Sequence, residues 1–317
     1  IFIKSYQYLQ MKVFLLKLNL SFFILINLST IPSFGQDTFS IVANDSITRE
    51  VGSAGASCIS GSIIISDVHP GVGAIHTQSY WNAANQNNAS SLMDQGYSPQ
   101  GIIDWLVEND AQDNPSIRQY GIIDMVNGGR SAGYTGENCF DYKNHILGPT
   151  YAIQGNILLG QEVLDNMEAN FLNNDGPLTH KLMAALQGTN IPGADTRCLS
   201  YGTSSLSAFI RLAKSGDNED SLYLNLNVNT VIPGVEPIDS LQILFDAWVL
   251  EQTPFTAGDV TEDSVIDILD IVLMINIITG MYDPSTSQFL ASDLNGDGTI
   301  GVMDVVQLVS LIINYYT

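Results

Sequence analysis

Residues 38–43 read TFSIVA, a short β-favouring run opened by a threonine. A hydrophobic leader precedes it. Met11 to Gly35 carries Lys12 and Lys17, then the mostly apolar stretch Leu18 to Leu28. It ends in Ser33-Phe34-Gly35, with small residues at the two positions a signal peptidase inspects. The apolar run is short for a membrane span, and no other stretch approaches the ~20 apolar residues a span requires. Residues 1–35 are therefore read as upstream residues plus a secretory signal. That predicts a secreted or cell-surface protein with no membrane span in its mature chain.

Thr38 then poses a chemical question. A threonine hydroxyl is a weak nucleophile and needs a base to take its proton. When threonine is residue one, its own amine, with a pKa of about 8, can do this. From pattern alone, a strand-opening threonine is the simpler reading. Cleavage after Gly35 would also leave Gln36-Asp37 ahead of Thr38. A free amine on Thr38 thus requires a cut at Asp37–Thr38, later trimming, or a different peptidase site.

The chain holds 11 basic and 33 acidic side chains. Residues 1–35 contain Lys4, Lys12 and Lys17 and no acid, so the remainder carries 8 basic against 33 acidic, a net of −25. Such a surface repels nucleic acid and anionic lipid and suits cations. Cys58, Cys139 and Cys198 are an odd set with no C-x-x-C spacing, which argues against a zinc knot or redox dithiol. One disulfide can form in an oxidising compartment, and the spacing does not select the pair.

The composition changes near Glu251–Gly258, which is read as a linker (251–258) between a main domain (36–250) and a tail (259–317). The tail has nine acidic side chains and no Lys or Arg. It is an internal repeat. DVTEDSVIDILDIVLMINII from Asp259 aligns with DLNGDGTIGVMDVVQLVSLI from Asp293 at a 34-residue offset. Each copy is an oxygen-rich loop of twelve residues running into an apolar helix. Calcium takes six to eight oxygens on such a loop: side chains at positions 1, 3 and 5, a carbonyl at 7, an acid at 12. The first loop offers Asp259, Thr261, Asp263, the Val265 carbonyl, Asp267 and Asp270; the second offers Asp293, Asn295, Asp297, the Thr299 carbonyl and Asp304. Gly298 takes the sharp turn in the second loop, where the first has Ser264. Two Ca2+ sites are expected, the second better formed, because Ser264 resists positive φ and Thr261 is a weaker ligand. The tail resembles a type I dockerin, whose loops also end in Asp, and that resemblance implies a cohesin-like or cell-surface protein partner. Positions 10 and 11 are apolar here, Ile268-Leu269 and Val302-Met303, which leaves intramolecular packing or another anchoring role open.

In the main domain, strands are expected at 38–43, 50–56 and 62–66, then two helices. The second helix opens with Ser98 as cap and Pro99 in its first turn. Strands at 120–126 and 131–135 flank an Asn127-Gly128-Gly129 turn, and a further strand is expected at 151–154. An amphipathic helix pair, strands at 205–213 and 222–228 and a closing helix complete the order. Antiparallel sheets covered by helices in layers, an α+β arrangement, fit this better than strict βαβ alternation.

TFSIVA, GVGAIHTQ (71–78), RQYGIID (118–124), TGENC (135–139), AIQGNILLG (152–160), GADTRC (193–198) and SSLSAF (204–209) together resemble an uncharacterised bacterial family, domain of unknown function 1028. The resemblance implies an αββα four-layer sandwich like that of N-terminal-nucleophile (Ntn) hydrolases, followed here by the small all-α calcium-binding module. It also puts Thr38 at the nucleophile position. Asn156 is then a candidate donor to an oxyanion, and Asp195 with Arg197 a charged pair to position the amine or a substrate carboxylate. The same residues also suit a turn side chain bonding its own backbone and a structural salt bridge. Three functions are open: an exported amidohydrolase acting on a small amide, peptide or N-acyl substrate, a non-catalytic binding or scaffold protein, and an accessory subunit of a polysaccharide-degrading complex.

Overall fold

The computed structural model describes residues 38–315; the expected signal segment and Gln36-Asp37 lie outside them. The described chain divides between Phe245 and Asp246 into two compact units.

The first unit is built on two antiparallel sheets. β1 (Thr38–Asp45) and β2 (Glu50–Ser57) form a hairpin, and β8 (Tyr151–Gly155) lies on the other side of β1. With β7 (Asn144–Gly148), β9 (Ser207–Ala213) and β10 (Leu224–Val228) they make a six-stranded sheet ordered β10-β9-β2-β1-β8-β7. The second sheet, β3-β4-β5-β6, comprises Ser66–His69, Gly73–Ser79, Arg118–Asp124 and Arg130–Thr135.

Helices cover each outer face. α1 (Ala83–Asp94) and α2 (Pro99–Glu108) bury Ala89, Met93, Ile102 and Leu106 against Ile75, Tyr120 and Ile122 of the four-stranded sheet. Ser98 caps α2 by accepting from the Gly101 N–H, with Pro99 in the first turn, as expected. α3 (Gln161–Asn173) and α4 (Leu178–Gln187) bury Val163, Leu164, Met167, Leu182 and Leu186 on the six-stranded side. The layers therefore run helices, sheet, sheet, helices, the expected αββα order.

Three local readings change. Residues 62–65 form a 3-10 turn, not a strand; Ser62 and Ile65 are buried three apart, a spacing a strand would put on opposite faces. β4 and β7 were not expected as strands. β4 is buried along its whole length, so it shows no alternation of apolar and polar residues, while β7 is a half-exposed edge. α5 (Pro237–Gln252) runs into the expected linker, and the units divide inside it.

Between the sheets, Val42, Val51, Val68, Ala74, Ile123, Ala152 and Ala213 form an apolar core. Phe209 packs edge-on against His76, and around them runs a polar network that can be followed in one direction. Ser40 has one hydroxyl hydrogen, and it goes to Gln78 Oε1 at 2.6 Å. His76 Nδ1 lies 2.9 Å from Ser40 Oγ and 3.1 Å from Gln154 Nε2, which itself donates to Ser40 Oγ at 2.7 Å; with Nδ1 as the donor to Ser40, the hydrogen bonds run in one direction. His76 Nε2 then accepts from Ser53 Oγ at 2.6 Å, and Ser53 accepts from Ser66 at 2.8 Å. Arg211 Nη1 donates to Ser66 at the start of this chain. At its far end Gln78 Nε2 donates to Gln119 Oε1 (2.8 Å), and Gln119 Nε2 to the Gly155 carbonyl (2.9 Å). Gly121 makes room for the Gln154 side chain, whose Oε1 lies 1.7 Å from where a Cβ at 121 would sit.

Burial first, then the Arg211 charge, pushes His76 down to about 3. The unfolded chain takes up that proton near pH 6.5 and the folded chain does not. The stability His76 supplies is therefore complete above about pH 6.5 and drains away as the pH falls toward about 3. Denaturant melts from pH 7 to pH 5 should slope downward, and His76→Gln should flatten that slope. Equal slopes in the two proteins would place the pH dependence on other groups.

The second unit holds α6 (Ile268–Ile278), α7 (Thr286–Ser292) and α8 (Val302–Tyr315) around Val260, Met274, Ala291, Leu294 and Leu308. α7, between the two repeats, was not foreseen. Capping boxes start α6 at Asp267/Asp270 and α7 at Ser285/Gln288.

Candidate functional sites

The antiparallel register gathers the candidate catalytic residues at one end of the six-stranded sheet. Thr38 opens β1 opposite Ser57 of β2. On its other side Phe39 pairs with Gly155, so the same register carried one step further sets Asn156 beside Thr38. Cys58, the residue after Ser57, donates its N–H to Asp195 Oδ2 at 2.9 Å. Arg197 pairs with the same carboxylate at 2.7 Å and reaches Ser57 Oγ at 3.4 Å. Asp195 is buried and caps the 3-10 segment Thr196–Tyr201 through the Arg197 N–H.

Asn156 is fully buried. Its Nδ2 donates to Gln119 Oε1 at 3.0 Å, and its Oδ1 has no partner among the described residues. An orphaned buried acceptor of this kind asks for an explanation. Gln119 is thus both the end of the inter-sheet chain and the group that orients Asn156. No role was read for Gln119 or Ser57 in the sequence. A signal existed for Gln119 in the polar positions Ser40, Gln78, Gln119 and Gln154 inside otherwise apolar strands, but alternation reads such positions as solvent-facing.

The disulfide is Cys58–Cys198, with Cα atoms 5.7 Å apart across 140 residues of sequence. It ties the 3-10 segment behind Asp195 and Arg197 to the end of β2. Cys139 is outside the bridge and donates to the Arg118 carbonyl. Replacing Cys58 and Cys198 together by alanine should lower stability by about 2–5 kcal/mol. It should also expose 195–202 to proteolysis before the rest of the unit; uniform cleavage would deny the bridge this local role.

In the second unit the two acidic loops repeat one hydrogen-bond scheme. Asp259 accepts from the Asp263 and Ser264 N–H groups, and Asp293 from those of Asp297 and Gly298. Asp270 accepts from the Thr261 and Asp267 N–H groups, and Asp304 from those of Asn295 and Gly301. Asp263 and Asp297 accept from Val265 and Thr299, the residues at position 7. Asp270 and Asp304 are almost fully buried, at 0% and 1% exposure, in a tail without Lys, Arg or His. Buried carboxylates with no cationic side chain need a cation from outside. The donor set, all oxygen and mostly carboxylate, fits calcium.

Positions 4 and 6 of both loops have positive φ: Glu262 (62°) and Ser264 (69°) in the first, Gly296 (69°) and Gly298 (82°) in the second. Glycine adopts this backbone freely and other residues do so at a cost. Ser264→Gly should stabilise residues 257–313 by about 1 kcal/mol in calcium. Unchanged melting of that segment would mean Ser264 is not strained. Ile268, Leu269, Val302 and Met303 are all more than half exposed, so the second unit does not consume the apolar pairs at positions 10 and 11 in its own core.

A four-layer αββα sandwich, with its strand-opening threonine beside Ser57 and Asn156, is Ntn-hydrolase-like in architecture. The family model "Family of unknown function (DUF1028)" matches residues 38–240, and the chain belongs to that family. Residues 257–313 match the dockerin type I domain. Dockerin type I domains generally bind calcium and dock onto cohesins. Among solved structures, protein SPO2555 from Silicibacter pomeroyi, described as DUF1028, is similar with a TM-score of 0.55 at 21% identity, over 67% of this chain and 88% of its own. Two Anbu (ancestral beta-subunit) structures are more distant, both at 12% identity. The one from Yersinia bercovieri has a TM-score of 0.38 over 68% of this chain and 97% of its own. A Gly-1 mutant from Hyphomicrobium sp. strain MC1 has 0.39 over 69% and 100%. No curated protein matches.

Proposed function

We propose that this protein is an exported amidohydrolase of the Ntn type, with Thr38 as nucleophile once its amine is freed. The supporting observation is the register: Thr38 opens β1 with Ser57 on one side and Asn156 on the other. In this reading the Thr38 amine takes the hydroxyl proton, and the hydroxyl oxygen attacks the carbonyl of an amide, peptide or N-acyl bond. The acyl group passes to Thr38 and the proton to the leaving amine; water then releases the acid. Asn156, held by Gln119, gives its second N–H to the carbonyl oxygen as negative charge builds there. Asp195 holds Arg197 next to Ser57, where the guanidinium can take a substrate carboxylate. The Cys58–Cys198 bridge suits the oxidising compartment that export supplies. The tail binds two Ca2+ ions, more tightly in the glycine-bearing second loop, and tethers the enzyme to a cohesin-like or cell-surface partner.

N-terminal sequencing of the exported protein, together with a panel of N-acyl and aminoacyl anilides, tests this. A chain beginning at Thr38 that hydrolyses a member of the panel, with activity abolished in a folded Thr38→Ala variant, is the expected result. A chain beginning at Gln36, or activity surviving in Thr38→Ala, would overturn it and favour the binding or scaffold reading.

A further inference from the structure

A second cluster lies where the two sheets meet through elements the proposed chemistry does not use. His69 closes β3, Asp94 closes α1, and Glu219 sits in the turn between β9 and β10. The His69 side chain is only 2% exposed. Its Nδ1 lies 2.8 Å from Asp94 Oδ1 and 3.6 Å from Glu219 Oε1. Its Nε2 faces Ser90 Oγ at 3.2 Å and Asp67 Oδ2 at 3.4 Å.

The second nitrogen decides the tautomer. With a hydrogen on Nε2, shared between Ser90 and Asp67, a neutral ring turns the Nδ1 lone pair toward Asp94 and Glu219. A lone pair and a carboxylate at 2.8 Å repel, so a positive charge belongs between them. A proton on Nδ1 serves one acceptor well, yet two carboxylates from separate elements converge on this one nitrogen. Neither Asp94 nor Glu219 forms an ion pair with Lys or Arg among the described residues. One donor atom from each of the three residues falls within 4.8 Å of the others. Ligands on bonds of about 2 Å at tetrahedral angles stand about 3.3 Å apart, so small rotamer shifts would close the set. An imidazole with its far N–H held by a carboxylate and a hydroxyl is the usual outer support of a metal-bound histidine.

We propose that His69, Asp94 and Glu219 bind one divalent cation of the zinc class, with water in the remaining position and Asp67 and Ser90 orienting the histidine. A nitrogen ligand separates this site from the all-oxygen loops of the tail, which suit calcium. The cation would staple the edge strand β3 to α1 and to the β9–β10 turn of the other sheet.

The test is calorimetric titration of Zn2+ into the metal-stripped full chain with calcium saturating the tail. One further equivalent of zinc is expected, with a rise in the melting temperature of the first unit. Asp94→Asn/Glu219→Gln should remove that equivalent and still fold, since both side chains are mostly exposed. Asp67→Asn should weaken zinc about 10–100-fold without changing the stoichiometry. Zinc uptake unaltered in the double variant, or no uptake by the native chain, overturns the site. Should the double variant melt differently without metal, Co2+ bound to the native chain decides: absorption of a nitrogen-ligated, low-coordinate ion upholds the site, and a six-coordinate aqueous spectrum rejects it.

Discussion

The directed hydrogen-bond chain between the sheets is the constraint on which the sandwich depends. From Arg211 to the Gly155 carbonyl, each group donates to the next, crossing and recrossing the gap between the sheets. In this arrangement every hydroxyl hydrogen along the chain has an acceptor. Reversing any hydroxyl would leave two donors or two acceptors face to face inside a dry interior, where an unmet polar group is most expensive. It therefore couples the histidine, the side-chain amides and the spacing of the sheets. An apolar interface of the same area would tolerate sliding; this one does not.

The candidate site inherits that rigidity. Gln119 ends the chain and also receives the Asn156 amide, so the geometry beside Thr38 is set by residues as remote in sequence as Arg211. On the other flank the Cys58–Cys198 bridge and the Asp195 carboxylate hold the 3-10 segment against the end of β2. Two independent braces, one polar and one covalent, converge on the first residue of one strand. A strand end is otherwise the part of a sheet most prone to fray, and bracing it from both sides suits chemistry that needs placement to a fraction of an ångström.

How much of this could be read beforehand follows from where information lies in a chain. The α2 cap, the amphipathic α3–α4 pair and the acidic loops are local patterns, and each was legible. β4 was not, because a strand buried on both faces has no alternation. Residues 62–65 misled because Ile63 and Ile64 carry β propensity, while the three-residue spacing of Ser62 and Ile65 was the signal that mattered. Asn156, Asp195 and Arg197 could be named as candidates, but their meeting could not, since it depends on registers spanning more than a hundred residues. The zinc-class cluster has no sequence spacing at all; its three members come from a strand end, a helix end and a turn.

The tail presents the opposite case, in which nearly everything is local. Its two loops share a hydrogen-bond scheme because each position 12 carboxylate bonds backward to positions 3 and 9. The asymmetry between the loops was half visible: Ser264 against Gly298 could be read directly, whereas Glu262 against Gly296 needed the backbone angles. The first loop thus has two non-glycine residues at positive φ, and the second places glycine at both positions. In both loops the position 12 carboxylate, Asp270 or Asp304, is buried without a cationic side chain in the tail. Folding of a loop built this way is coupled to uptake of a cation.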